Sequence, residues 1–303
     1  MNKFTSILTS ALLILAMSII PLPVKAETVK TTTTRQTISE YETIKALKNV
    51  SNSELKKEGL SDDEITSVRN LDFKVEMTRR SKLESQQLKN MGYTDDKITA
   101  LKSFDGSEAQ MIALSSTVTI SSSILSTQNG GKDYYVNFSW NWSSQPFNLY
   151  TDVIGFRASG STNGAVAANA TMSAGSYSTA EYYVYNDSSV FGGYGSLSMS
   201  RPDIPTAAFT IPMEKNIYNV YGNGQVIPCW AKSGYGTTHV NNYTAMERMA
   251  ARFEYGHASS GVSPSISVNG PAPSVSITFT PYSVVSSLAY TQHLYNSSGT
   301  IIG

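Results

Sequence analysis

Ten consecutive residues, Tyr134 to Ser143, alternate between two sets of positions without a break. Tyr134, Val136, Phe138, Trp140 and Trp142 occupy one set; Tyr135, Asn137, Ser139, Asn141 and Ser143 occupy the other. A strand points successive side chains to opposite faces, so this segment hides its large rings only on a sheet with one face against a core. A helix would scatter the same rings around its axis.

The pattern recurs along the chain. Val118 and Ile120 alternate with Thr117, Thr119 and Ser121, and the same texture returns at Ile154, Phe156 and Ala158. It appears again at Ile266 and Val268, and at Val275, Ile277 and Phe279. Asn-Gly pairs at Asn129-Gly130, Asn163-Gly164, Asn223-Gly224 and Asn269-Gly270 punctuate these runs. Asn-Gly favours the type I′ turn, whose twist matches antiparallel strands. About ten to thirteen short strands are predicted, too many for one sheet without curling. The expected fold of residues 113–303 is therefore an antiparallel β-sandwich of jelly-roll or immunoglobulin-like type. Tyr243 to Phe253 is the one stretch that reads equally as helix or strand.

Charge separates this region from what precedes it. Residues 27–112 carry 15 acidic and 14 basic side chains, whereas residues 113–303 carry 8 and 7. The fall in density marks a boundary near residue 112. Neither part is strongly basic, which excludes the electrostatic footprint of a nucleic-acid binder.

Residues 38–112 read as helical hairpins. Leu55 to Thr66 recurs 33 residues later as Leu88 to Thr99. In each copy a helix stops at Gly59 or Gly92, the residue type that accepts the left-handed conformation past a helix end. Leu60 or Tyr93 folds back on the last turn, and Ser61 or Thr94 caps the next helix. Ser61 with Glu64 forms a capping box. The second helix buries Ile65, Val68 and Leu71, or Ile98, Leu101 and Phe104. Three to five short helices are expected, serving as a spacer or as a pro-segment. The Met91-Gly92-Tyr93 turn resembles that of small ubiquitin-associated-type helical modules over about a dozen residues, a likeness that the turn chemistry alone produces.

The first residues set the compartment. Lys3 precedes an uncharged apolar run from Phe4 to Ile20, then Pro21, Pro23 and the small residues Val24 and Ala26. This is the order of a secretory signal peptide, with cleavage expected between Ala26 and Glu27. The apolar run is shorter than the roughly 20 residues of a membrane span. Residues 27–37, with Thr31 to Thr34 and little to bury, read as a flexible leader. The lone Cys229 forbids an intramolecular disulfide and reads as a buried small apolar residue. Leader and cysteine usage together fit an extracellular protein, free or wall-associated, of a Gram-positive bacterium.

No residue constellation reads as a catalytic, cofactor-binding or metal site. Trp140 and Trp142 invite sugar stacking, but their alternation places both indoles in the core. Of Tyr182, Tyr183 and Tyr185, at least one must face outward. Cys229 with His239 or His257 lacks the setting of an activated thiol. His239, His257 and His293 are spaced 18 and 36 residues apart, which fits no zinc motif. His257 is expected at a strand end as a satisfied structural histidine. Asp133, Asp152, Glu181, Asp187, Asp203, Glu214, Glu247 and Glu254 are the acids from which a glycosidase pair would have to come. Asp152 and Arg157 read more simply as strand-end charges. Phe191-Gly192-Gly193-Tyr194-Gly195 is expected before a strand, not as a phosphate cradle.

The sequence thus favours a non-catalytic exported protein that binds a cell-surface ligand, a glycan among the candidates. The Ser/Thr-rich pair of strands from Thr117 to Trp142 supplies an alternative, because it resembles the amphipathic hairpin that pore-forming toxins refold into a barrel. A secreted glycan-active hydrolase is the third reading, resting on compartment and fold class alone.

Overall fold

The computed structural model describes residues 34–57, 60–129, 132–162, 165–167, 171–172, 176–200, 206–241, 248–258, 265–269, 276–280 and 284–296. Ala26, Glu27 and the Asn163-Gly164 turn lie outside them. Among the described residues the chain opens with β1 (Thr34–Ser39) and continues through α1 (Glu40–Asn49), α2 (Asn52–Lys57), α3 (Asp62–Asn70), α4 (Phe73–Ser81), α5 (Ser85–Asn90), α6 (Asp95–Lys102) and α7 (Glu108–Leu114). The strands β2 (Thr117–Gln128), β3 (Asp133–Trp142), β4 (Thr151–Thr162), β5 (Ala165–Ala167), β6 (Thr171–Met172), β7 (Tyr177–Val184) and β8 (Asp187–Ser196) follow. Next come β9 (Ser198–Ser200), β10 (Thr206–Pro212), β11 (Glu214–Tyr218), β12 (Val226–Asn241) and β13 (Arg248–Ala258). The last are β14 (Ser265–Asn269), β15 (Ser276–Thr280) and β16 (Val284–Asn296).

The helical repeat has the predicted turn chemistry. Gly92 takes φ +88°, and the Tyr93 amide donates back to the Leu88 carbonyl at 3.1 Å. The first copy repeats that bond from Leu60 to Leu55 at 3.0 Å. Ser61 and Glu64 close their capping box. More helices form than the repeat announces, because Ser39, Asp72 and Ser107 also cap helices that lie outside it. Ile44, Phe73, Met77, Leu88, Tyr93, Ile98, Leu101 and Leu114 make a shared helical core.

The β region is mainly antiparallel and forms two sheets plus the separate β14–β15 ladder. The larger sheet runs β1-β2-β3-β12-β7-β8, with β6 and β11 also paired to β12. The smaller runs β16-β13-β4-β10-β9, with β5 on β4. Strands number more than expected because β5, β6 and β9 are only two or three residues long. The apolar faces of the two sheets share one core. Phe138 of β3 meets Phe209 of β10 at 5.7 Å and Phe253 of β13 at 5.2 Å between ring centroids. Trp140 and Trp142 are buried in that core, as the alternation requires.

Two local expectations are corrected, and the described part of one open stretch, residues 248–253, is settled. Residues 34–37 do not dangle as a leader; they belong to β1, which pairs with β2 from Thr34↔Ser122 to Ser39↔Thr117. Threonine's branched Cβ suits a pleated edge strand even with little to bury. The ambiguous stretch ends as strand: residues 248–253 lie in β13, held between β4 and β16. The Gly-rich run lies inside β8 rather than before a strand. A Cβ on Gly192 would sit 2.6 Å from Cys229 Sγ, so the run lets β8 cross the neighbouring side chains closely.

Candidate functional site

Two places gather polar side chains, and their geometries differ in kind. The first is a sealed cluster where the helices meet the sheets. His257 of β13 directs Nδ1 at Asp152 Oδ1, 2.9 Å, and Nε2 at Glu40 Oε1, 3.3 Å. Tyr255 donates its hydroxyl to Asp152 Oδ2 at 2.7 Å and accepts from Trp142 Nε1 at 3.1 Å. Glu40, the first residue of α1, also accepts from the Phe147 amide at 2.6 Å. All five side chains are buried. Burial alone would lower the imidazole pKa, but the Asp152 and Glu40 carboxylates outweigh it and push it up to about 10. Burial likewise holds the Tyr255 phenol well above its ordinary value.

Arg80 of α4 makes a neighbouring joint. Its guanidinium is buried and donates to Glu76 Oε1, to Tyr93 Oη at 2.9 Å, and to the Gln145 and Pro146 carbonyls at 2.9 and 3.2 Å. Burial works against its charge, but Tyr93 and Glu76 keep the pKa raised. Arg80 and Glu40 therefore grip the same segment, Gln145 to Asn148, from two helices.

Both imidazole nitrogens are occupied by carboxylates and solvent is shut out. A general base needs a free nitrogen within reach of a substrate proton. This cluster joins parts of the fold. Asp152 does stand at the start of β4, as expected of a strand-end charge, but it is buried at the centre of the joint; Arg157 is corrected, since β4 runs on past it to Thr162. His257 stands near the end of β13 with both ring nitrogens hydrogen-bonded.

The remaining candidates are dispersed. Asp133 pairs with His239 Nε2 at 2.9 Å and bonds Asn129; Glu181 accepts from Ser233; Asp187 holds Ser189. Glu214 lies on β11. Asp203 and Glu247 lie outside the described residues, as do the side chains of Glu254, Arg157 and His293. Cys229 is buried and its thiol pKa is raised by that burial, the opposite of an activated nucleophile. Among the described residues no group of three or more His, Cys, Asp or Glu side chains stands where it would hold a metal ion. Tyr182 faces inward, Tyr185 outward, and Tyr183 lies between with Lys232 4.8 Å from its ring centroid.

The second place is open. On the outer face of the larger sheet, β2, β3, β12 and β7 frame a cleft of about 330 Å³. Tyr177, 52% exposed, and Tyr235, 41% exposed, flank it. Register sets Tyr177 opposite Thr237 and Tyr235 opposite Thr179, so the two phenols stand diagonally on adjacent strands. The floor is Ser121, Ser139, Asn137 and Thr237. Ser121 and Ser139 hydroxyls meet at 2.7 Å, and Thr237 donates to Asn137 Oδ1 at 2.6 Å. None of the lining residues carries an ionised group at neutral pH. A second cavity of about 350 Å³ is lined by Glu214, Lys215 and Cys229 among others, with its two charges of opposite sign.

The flat polar face was legible as the outward half of the strand alternation. The two tyrosines were not, because β7 and β12 meet across more than fifty residues of chain. One signal lay in the sequence: Tyr235 and Thr237 alternate with Gly234 and Gly236. A Cβ on Gly234 would fall 1.9 Å from Trp140 Cη2, so glycine there lets the indole lie against β12 and fixes which way Tyr235 points.

No protein-family model matches this chain, and no curated protein matches it. Among solved structures, similarity extends to Clostridium perfringens delta-toxin, 8% identical with a TM-score of 0.23, over 62% of this chain and 89% of the toxin. A structure described as a pore forming protein is 12% identical with a TM-score of 0.20, over 62% and 83% of the two chains. A third, described as manganese lipoxygenase of Gaeumannomyces graminis with part of a zonadhesin of Komagataella pastoris, gives 7% and 0.25 over 62% and 63%. TM-scores of this size leave fold and function to be argued from the chain itself.

Proposed function

We propose that this chain is an exported, non-catalytic binding protein, a two-layer β-sandwich that presents the outer face of its larger sheet to a ligand at a cell surface. The open, uncharged cleft between Tyr177 and Tyr235 is the observation that carries this reading. The sealed state of the His257 cluster supports it, because the most strongly perturbed imidazole serves the fold instead of a substrate. The signal-peptide pattern of residues 1–26 supports export. Fluorescently labelled protein beginning at Glu27 should decorate Gram-positive cells or their isolated walls. Tyr177→Ala with Tyr235→Ala should weaken that decoration at least tenfold; equal decoration by the double variant would remove the cleft from the reading.

A second reading, a secreted pore former, is favoured by a different observation. The β11–β12 hairpin ends in Tyr218, Tyr221 and Val226, exposed at 69, 52 and 59%, with no charge from Asn216 to Ala231. Uncharged aromatic tips suit a membrane interface. The hairpin β2–β3 is a poor stem for such a pore. Its withdrawal would strip Val136, Phe138, Trp140 and Trp142 from the core, on the order of 10 kcal/mol, comparable to the whole stability of a domain. Dye release from liposomes separates the readings: leakage abolished by Tyr221→Lys supports the pore, and intact liposomes at micromolar protein speak against it.

A further inference from the structure

The geometry points to a neutral oligosaccharide as the ligand of the Tyr177–Tyr235 cleft, an inference that rests on the surface-binding reading above. Charge decides the ligand class first. The cleft has no cation for a phosphate, uronate or sulfate and no carboxylate for a basic peptide. Ionised groups elsewhere on those strands are already engaged: Glu181 by Ser233, Asp133 by His239, and Lys232 by the Ser188 carbonyl and the Tyr183 ring. An anionic polymer would surrender its hydration there without an ion pair in return.

Shape and hydrogen bonding then favour a sugar among neutral ligands. Sugar rings have one apolar C–H face and a rim of hydroxyls. Two phenol rings on adjacent strands offer flat apolar surface with a polar edge. The floor offers the complementary hydroxyl and amide groups. Thr237 bonds Asn137 Oδ1, which turns the Asn137 amide so that its Nδ2 donors have no partner among the described residues. Ser121 and Ser139 bond each other, which uses only one of their two hydroxyl hydrogens. A volume of about 330 Å³ sits at the low end of the roughly 300–1,000 Å³ of small-ligand sites, enough for about one or two sugar rings with the chain leaving at an open end. An open site with two stacking rings should bind weakly, with a Kd of about 0.1–1 mM per site.

The test titrates the full mature protein with cellotetraose, maltotetraose and chitotetraose, and with trigalacturonate and a heparin hexasaccharide as anionic controls. Saturation-transfer NMR and calorimetry are the readouts. Binding of at least one neutral oligosaccharide, weakened tenfold or more by Tyr177→Ala or Tyr235→Ala, is the expected result. Tyr235→Phe, which keeps the ring, should stay within about threefold, and Tyr218→Ala, remote from the cleft, should match the parent. No neutral oligosaccharide bound by the parent protein, tighter binding of either anion, or indifference to both alanine variants would each overturn the inference. Near-ultraviolet dichroism confirms that the variants are folded, and the parent titration decides the ligand class even if one is not. Cell decoration distinguishes the two levels of claim. Decoration that needs the tyrosines but resists every neutral saccharide sinks only the ligand class; absence of decoration sinks the surface-binding reading itself.

Discussion

His257 faces carboxylates through both ring nitrogens, and Asp152 and Glu40 outweigh the cost of burial, so the imidazolium is the form the folded protein prefers. Its pKa rises from an ordinary 6.5 to about 10 on folding. A raised pKa contributes stability that is fully present below about pH 6.5 and lost as pH climbs toward 10, on the order of a few kcal/mol. Denaturant midpoints should therefore fall steadily between pH 6.5 and 9, whereas His257→Gln should be less stable at neutral pH and flat across that window. The window ends at 9 for a reason. Burial raises the Cys229 thiol, and pushes Tyr134 and Tyr182 up to about 12, so these groups add their own losses at more alkaline pH. Arg80 gives the companion prediction. Arg80→Met leaves the Pro146 carbonyl and the Tyr93 hydroxyl without the guanidinium donor and the Gln145 carbonyl with Ser116 alone, and should cost about 3–5 kcal/mol in urea unfolding. A loss below 1 kcal/mol would show that water replaces the guanidinium.

Elements were readable in the sequence where one short-range rule fixes them. β3 follows from its alternation alone, and its buried and less buried positions keep step from Tyr134 to Trp142. The helix ends at Gly92 and the cap at Ser61 follow from local hydrogen-bond chemistry. β1 was not readable, because a Thr-rich edge strand has no apolar periodicity; its place depends on β2, some eighty residues away. The joint was hidden for the same reason, since Glu40 and His257 are separated by 217 residues. Asp152 stands at a strand end, but its burial was not readable, because no local rule tells a buried acid from an exposed one. β12 supplies the element-scale test. Gly234 and Gly236 face inward beneath Trp140 and Phe138, where added Cβ atoms would fall 1.9 and 2.3 Å from ring carbons. Gly234→Ala must displace the Trp140 indole or the strand. It should cost about 1–3 kcal/mol and shift tryptophan emission, with the urea midpoint and fluorescence read together.

For the molecule as a whole, the question is whether residues 38–112 are a detachable segment. Their contacts tie them to the β region at three separate points. β1 is hydrogen-bonded along β2, Glu40 completes the His257 cluster, and Arg80 holds the Gln145–Pro146 carbonyls. Removal by cleavage near Ala113 would leave the imidazolium with one carboxylate fewer, expose the β2 edge and take the Arg80 donors from the Gln145 and Pro146 carbonyls. An uncovered edge strand invites pairing with another chain. The expected behaviour is therefore one cooperative transition for protein beginning at Glu27, monitored alike by helical dichroism and by tryptophan emission. A fragment beginning at Ser115 should bind a hydrophobic dye and self-associate. Intact mass of the species in culture medium completes the argument. A start at Glu27 fits helices that belong to the working protein, whereas a stable, monomeric species starting near Ala113 would make them a pro-segment and the three ties temporary.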